Sequence, residues 1–157
     1  MGGEPNEPVS DSPTGWVAKH VHGYLESDGR KGHRWHGVDT LLVTTRGRST
    51  GKLRRTALIY KKDRGRYIVV ASNGGSKGHP NWYQNLSADP HVFVQVAGEH
   101  FEATASTATS RQRPRLWRLM AEVWPEYDQY QARTSREIPV VILERTRATR
   151  DLPPSRR

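Results

Sequence analysis

Strand-length apolar runs, joined one after another by turn signals and not by long helices, limit what this chain can fold into. Val38 to Thr45 reads as a first strand and Arg55 to Lys62 as a second. Asp63-Arg64-Gly65 is a hairpin turn into Arg66 to Ser72. Val92 to Val96 follows, then a turn at Ala97-Gly98-Glu99, then a strand from about His100 to Ser106. Ile138-Pro139-Val140-Val141-Ile142-Leu143 closes the series, and its early proline predicts a strand start or an edge. Antiparallel strands with short turns and few helices predict an α+β fold, mainly β: a small barrel or rolled sheet. A doubly wound parallel sheet needs strands alternating with long helices, and that pattern is absent. The 157 residues suffice for one domain with a real core.

Helices fill the remainder. Residues 1–13, with three prolines, read as a flexible lead. Over 14–37 an amphipathic helix is expected, capped by Thr14 and apolar at Trp16, Val17, Val21, Tyr24 and Leu25, followed by a glycine-rich connection. Its apolar face suits packing on a core; peripheral contact with a membrane, helped by Lys19, His20 and His22, is the alternative. Pro80 suits the first turn of a short helix through Leu86. Leu116, Leu119, Met120 and Val123 form a helical stripe that Trp124-Pro125 should end. Residues 38–146 are the expected barrel domain, and 147–157 a basic disordered tail.

The loop between the first two strands concentrates chemistry. Arg46, Arg48, Lys52, Arg54 and Arg55 share it with Ser49, Thr50, Gly47 and Gly51. Arginine forks grip oxyanions bidentately and glycines admit backbone N–H groups, so the loop suits phosphate or carboxylate better than it suits a merely solvated turn. The chain's formal charge of +9 also favours an anionic partner. Nucleic acid is not expected, because clustered base-stacking aromatics are missing. The chain has no cysteine, which excludes disulfides and thiolate chemistry and fits a reducing cytoplasm. The seven histidines show no metal-ligand spacing, and no nucleophile elbow or carboxylate pair suggests hydrolysis.

The order of several motifs resembles the deazaflavin (F420)-dependent nitroreductase family, split β-barrels within the flavin reductase and pyridoxamine-phosphate-oxidase-like group. They are Leu41-Leu42-Val43-Thr44-Thr45, Gly47-Arg48-Ser49-Thr50-Gly51, Arg54, Val70-Ala71-Ser72-Asn73-Gly74-Gly75, Pro80-x-Trp82-Tyr83-x-Asn85-Leu86, Asp89-Pro90, Trp124-Pro125-x-Tyr127-x-x-Tyr130-Gln131 and Arg136-Glu137-Ile138-Pro139-Val140-Val141. The resemblance implies coenzyme F420, which carries a phosphate and an oligoglutamate tail and in reduced form gives a hydride to a flat acceptor: a quinone, an enone or a nitroaromatic. By resemblance, Arg48, Ser49, Thr50 and Arg54, with Arg55 beside them, hold the phosphate and the start of the tail. Ser72, Asn73, Gly74 and Gly75 lie against the ring. Trp82 and Asn85 lie beneath the coenzyme, Trp82 with Tyr83 as a packing plug and Asn85 bonding local backbone.

Hydride transfer needs donor and acceptor within roughly 3–3.5 Å and a hydrogen-bond donor facing the charge that develops. Tyr130 is the first candidate for that donor, with Tyr127 and Ser72 next. Two departures from the family pattern bear on the acceptor. Ser49 stands where a lysine is common, which leaves either a weaker phosphate grip or Lys52 as its replacement. Asn73 and Trp124 stand where some relatives carry lysine and tyrosine, which leaves turnover of a given nitro compound open. A non-catalytic carrier or sensor of F420 or another anion, on the same barrel, is the alternative to a reductase. A monomer or weak homodimer is expected.

Overall fold

Two strands show how the core is built. In β6 (Arg66–Val70) and β9 (Val140–Arg145), Tyr67, Val69, Val141 and Leu143 share one cluster, and Ile68, Val70, Val140 and Ile142 share another. Side chains alternate across a strand, so both faces of this pair are buried. The first cluster fills a barrel with Leu41, Val43, Val92, Val94, Phe101 and Ala103. The second lies under helices that contribute Leu116, Met120 and Tyr127. Continuous apolar runs therefore mark strands buried on both sides.

The computed structural model describes residues 4–11 and 15–146, with side chains from Lys19 onward in the first helix. Thr14, the expected cap, the side chains of Trp16 and Val17, and the tail 147–157 lie outside the described residues. In chain order the other elements are β1 (Val9–Asp11), α1 (Gly15–Glu26), β2 (Arg34–Trp35), β3 (Val38–Arg46), β4 (Leu53–Ile59), β5 (Lys61–Asp63), α2 (Asn81–Ala88), β7 (His91–Val96), β8 (Glu99–Thr107), α3 (Arg113–Val123) and α4 (Glu126–Ala132). The sheet order is β1-β4-β3-β7-β8-β9-β6-β5, with β2 on β3. All pairs are antiparallel except β1 with β4.

β4 and β5 are one strand interrupted at Tyr60. The first part pairs with β3 and the second with β6, so the ends of the sheet are joined through the chain and it curls into a split barrel. The Arg64-Gly65 turn between β5 and β6 has φ of 53° and 81°, both left-handed, as a two-residue hairpin matching the strand twist requires. Pro139 precedes β9, which lies between β8 and β6, so the proline marks a start and not an edge.

The structure departs from the sequence reading near the N-terminus. Residues 9–11, read within a loose lead, form β1 in register with Leu53–Arg55. α1 packs by Val21 and Tyr24, both fully buried, against Leu42 on the outer face of the sheet. No helix among the described residues is long and apolar enough to cross a membrane.

Candidate active site

The β3–β4 loop is closed by its own backbone. Gly47 N–H donates to Lys52 O at 2.7 Å and Gly51 N–H to Gly47 O at 2.8 Å. From the barrel side Asn85, in α2 and 4 % exposed, holds the loop. Its Oδ1 accepts from Arg48 N–H at 3.1 Å and from Arg48 Nη1 at 2.8 Å, and its Nδ2 donates to Thr45 Oγ1 at 3.3 Å. Arg48 Nη2 reaches Asn81 Oδ1 at 3.3 Å. Asn85 therefore bonds a distant loop and not the local backbone expected of it. From the outer side Arg46 donates to Gly51 O at 2.7 Å while Glu7 grips its guanidinium at 2.8 and 3.0 Å.

Beside this loop lies a cavity of about 460 Å³. Arg48, Ser49, Thr50, Arg54, Arg55, Trp82 and Asn85 line it, with Thr45, Gly47, Thr56 and Asn81. The expected tail-binding residues Arg48, Ser49, Thr50, Arg54 and Arg55 are thus gathered in one place, and no carboxylate is among the described residues that line it. Lys52 is not among these residues. Trp82 also packs on the barrel core, so it serves as floor and plug together.

A second cavity, of about 290 Å³, follows along β4 at Ala57, Leu58 and Ile59. Past β1 these residues pair only with β3 among the described strands, so the cavity occupies the split between β4 and β6. Ser72, Gly74, Tyr127 and Tyr130 line it. Burial, then the neighbouring Tyr130, pushes the Tyr127 hydroxyl well above the usual tyrosine range. Its ring lies 6.1 Å from that of Tyr130 at 72°.

Asn73 and Gly75 do not line this cavity. The Asn73 amide donates to Gly78 O at 3.0 Å. Gly75 is pressed on α4: a Cβ there would lie 2.7 Å from Tyr130 O.

The N-terminal arm completes the wall with residues that the sequence reading left out. His20 of α1 and Trp35 of β2 face the cavity together with Thr40. Trp35 lies against Trp124 with ring centroids 5.4 Å apart and planes 33° from parallel. His20 Nε2 is 3.2 Å from Thr40 Oγ1, and burial lowers the pKa of the ring. Thr40 donates its hydroxyl proton to Gly32 O, so its oxygen is left to accept from His20. No short motif marks these residues; Trp35 and Trp124 meet only through the fold.

A further cavity, of about 420 Å³, lies on the outer face under the N-terminal lead. Its wall includes Glu4 and Asp28, a poor lining for an anion, and of the expected site residues only Arg55 reaches it. Among the described residues no group of three or more His, Asp or Glu is gathered as a metal-ligand set. The two cavities along β4 suit an elongated ligand with an anionic arm and a flat head.

Comparison with known proteins identifies the family. The family model for F420H(2)-dependent quinone reductases matches residues 16–145. An F420H(2)-dependent quinone reductase of Mycobacterium tuberculosis is 39% identical over 143 residues, covering 83% of this chain and 96% of the relative. Among solved structures, an F420-H2 dependent reductase (FDR-A) is 40% identical with a TM-score of 0.62, covering 67% of this chain and 93% of that one. A domain-swapped dimer is 38% identical with a TM-score of 0.64, covering 85% and 100%. The chain belongs to the F420H(2)-dependent quinone reductase family.

Proposed function

We propose that this protein holds reduced F420 across the two cavities along β4 and passes its hydride to a quinone, with enones and nitroaromatics as further flat acceptors. The observation that carries the reading is the succession of a cavity lined by Arg48, Arg54 and Arg55 and an aromatic-walled one on a single strand. When bound, the reduced coenzyme supplies a hydride from its central ring. Arg48, Arg54 and Arg55 neutralise phosphate and glutamyl carboxylates, and Ser49, Thr50 and Thr56 add hydroxyl donors. Ser72 and Gly74 border the space for the ring. Tyr130, and behind it Tyr127, donate hydrogen bonds to the acceptor oxygen that gains charge. Trp35 and Trp124 exclude water and give a flat acceptor an apolar face. Reduction of a quinone to a quinol takes up one hydride and one proton. The depressed pKa of His20 leaves it neutral near pH 7, so Tyr130 is the better proton source.

Titration with oxidised F420, followed by quenching of its fluorescence, tests the cationic cavity. Anaerobic recovery of that fluorescence from F420H2 with menadione tests turnover. Loss of binding in the joint Arg48→Ala and Arg54→Ala variant is expected; unchanged affinity would remove the reading. Binding without turnover would make the protein a carrier or sensor. Tyr130→Phe should lower kcat by about 10²-fold if its hydroxyl serves the acceptor, with little change in coenzyme affinity.

A monomer or weak dimer in the cytoplasm is the state that goes with this reading. Sedimentation giving a dimer at all concentrations would overturn the monomer. Val21 and Tyr24 of the α1 apolar face are buried in the protein and so are not available to a membrane. Flotation with vesicles checks that contact.

A further inference from the structure

The turn after β6 is conformationally demanding. Asn73, Gly74 and Gly75 have φ of 48°, 61° and 80°, three left-handed residues in succession, one with a side chain. Such backbone persists only where its surroundings hold it. Two bonds tie the turn to itself: Gly75 N–H to Ser72 O and Ser76 N–H to Asn73 O.

The Asn73 amide adds its bond to Gly78 O, and further support comes from Arg136, which follows α4 in the chain. Its Nε donates to Ser76 O at 2.8 Å, its Nη2 to Ser72 O at 2.7 Å and its Nη1 to Ala71 O at 3.3 Å. Nη1 also lies 3.0 Å from His79 Nδ1, which accepts as the neutral ring that burial favours. Among the described residues no carboxylate pairs with this guanidinium, and burial lowers its pKa. A partly desolvated charge given to three carbonyls of one turn is costly unless that geometry is needed. In a trans peptide N–H points opposite to C=O, so drawing the carbonyls of Ala71 and Ser72 toward Arg136 turns the N–H groups of Ser72 and Asn73 away from it. Gly75 meanwhile seats the turn on the Tyr130 carbonyl. One guanidinium thereby fixes Ser72 and Gly74 relative to α4, which carries the two tyrosines of the cavity.

We propose that Arg136 is the positioning residue of the ring cavity, its planar fork setting the Ser72–Gly75 turn against the tyrosine helix. The role in catalysis rests on the reading above that Ser72 and Gly74 border the coenzyme ring.

Arg136→Lys and Arg136→Met separate positioning from bulk stability. Lysine keeps the charge but has a single head, which cannot span three divergent carbonyls. Deuterium uptake at the peptide covering 72–76 should rise about tenfold in Arg136→Lys, because local opening is easier. Its kcat with F420H2 and menadione should fall about 10–100-fold, while KM for F420H2 and the affinity for oxidised F420 stay within about threefold, since misplacement of the ring side leaves the arm cavity intact. An arginine serving only stability would lower Tm and leave kcat per folded molecule and the exchange of the turn unchanged. Wild-type uptake, or wild-type kcat, in Arg136→Lys overturns the proposal even if Arg136→Met fails to fold. Failure of the wild-type protein to bind F420 would sink the functional reading instead, and the exchange measurement would still decide what Arg136 holds.

Discussion

Asn85→Asp separates the electrostatics of the cationic cavity from its architecture. The new carboxylate oxygen would sit where Asn85 Oδ1 now accepts from Arg48 N–H and Nη1, at 3.1 and 2.8 Å, so the loop stays held. The one bond that changes sense is Asn85 Nδ2 to Thr45 Oγ1, and the threonine hydroxyl can rotate to donate. Folding stability should therefore stay close to wild type, with Tm within about 3 °C, a change of roughly 1 kcal/mol for a domain of this size. Binding should not survive so well. If the anionic arm binds beside this loop, a new carboxylate roughly 5 Å from one of its charges, at an effective dielectric near 20, would oppose it by about 3 kcal/mol. That is roughly 100–200-fold in Kd for oxidised F420. The gap between variant and wild type should narrow with added salt. Asn85→Leu is the contrast: it removes the acceptor from a backbone N–H and a guanidinium and should destabilise by about 2–4 kcal/mol. Thermal melting and fluorescence titration at low ionic strength measure both quantities. If Asn85→Asp binds F420 as tightly as wild type, the cavity beside the β3–β4 loop does not hold the anionic arm.

Three other perturbations bear on the ring side. Gly75→Ala places a Cβ 2.7 Å from Tyr130 O and 3.3 Å from Arg133 Cβ at φ +80°, and should destabilise by about 2–5 kcal/mol. Gly74→Ala, at φ +61° with nothing within 4 Å, should cost only about 1–2 kcal/mol; equal melting shifts would refute the close packing of the turn on α4. Trp35→Ala or Trp124→Ala should raise KM for a naphthoquinone about tenfold while F420 affinity holds, because only the acceptor side loses an aromatic wall; unchanged acceptor KM would remove that wall from the mechanism. His20 and His79 both have lowered pKa values, chiefly from burial, with Arg136 adding to the effect at His79. The unfolded chain then binds protons that the native state refuses, so stability holds above pH ~6.5 and falls as the pH drops below it. Urea midpoints between pH 7.5 and 5.5 should decline in the wild type and decline less in His79→Gln; parallel profiles would exclude His79.

The barrel was legible where alternation or a continuous apolar run reflects burial. β3, β6, β7, β8 and β9 begin and end close to where those patterns do. The break at Tyr60 was not, because a strand that changes partners keeps its apolar pattern; only the sheet shows that residues on either side pair with β3 and β6. β1 and β2 are too short to show a period, and their pairing with β4 and β3 is a tertiary fact. Among site residues, the β3–β4 loop carried a local signal, since its cations and hydroxyls are contiguous. Asn85 was misjudged because an asparagine in a helix can bond nearby backbone, and its partner Arg48 lies 37 residues away in the sequence. His20 and Trp35 carried no signal, because most of their neighbours in the cavity, from Ala57 to Tyr130, lie more than twenty residues further along the chain.

How individual arginines are held bears on what kind of ligand the molecule takes. Five arginines away from the two cavities are held by carboxylates: Arg34 by Asp39, Arg46 by Glu7, Arg115 and Arg66 by Asp63, Arg145 by Glu99. The two arginines at the candidate site whose partners are visible are held by neutral acceptors. Arg48 is fixed by the amides of Asn81 and Asn85, Arg136 by backbone carbonyls and a neutral histidine ring. An amide orients a guanidinium as well as a carboxylate does but leaves its charge uncancelled, so its field remains for an incoming anion. A protein that needed these arginines only for stability would gain more from carboxylate partners, as it does elsewhere on its surface. Fixing cations without neutralising them makes sense for a site that must hold a polyanionic arm in place, and it predicts that introducing a carboxylate beside Arg48 harms binding far more than it harms folding.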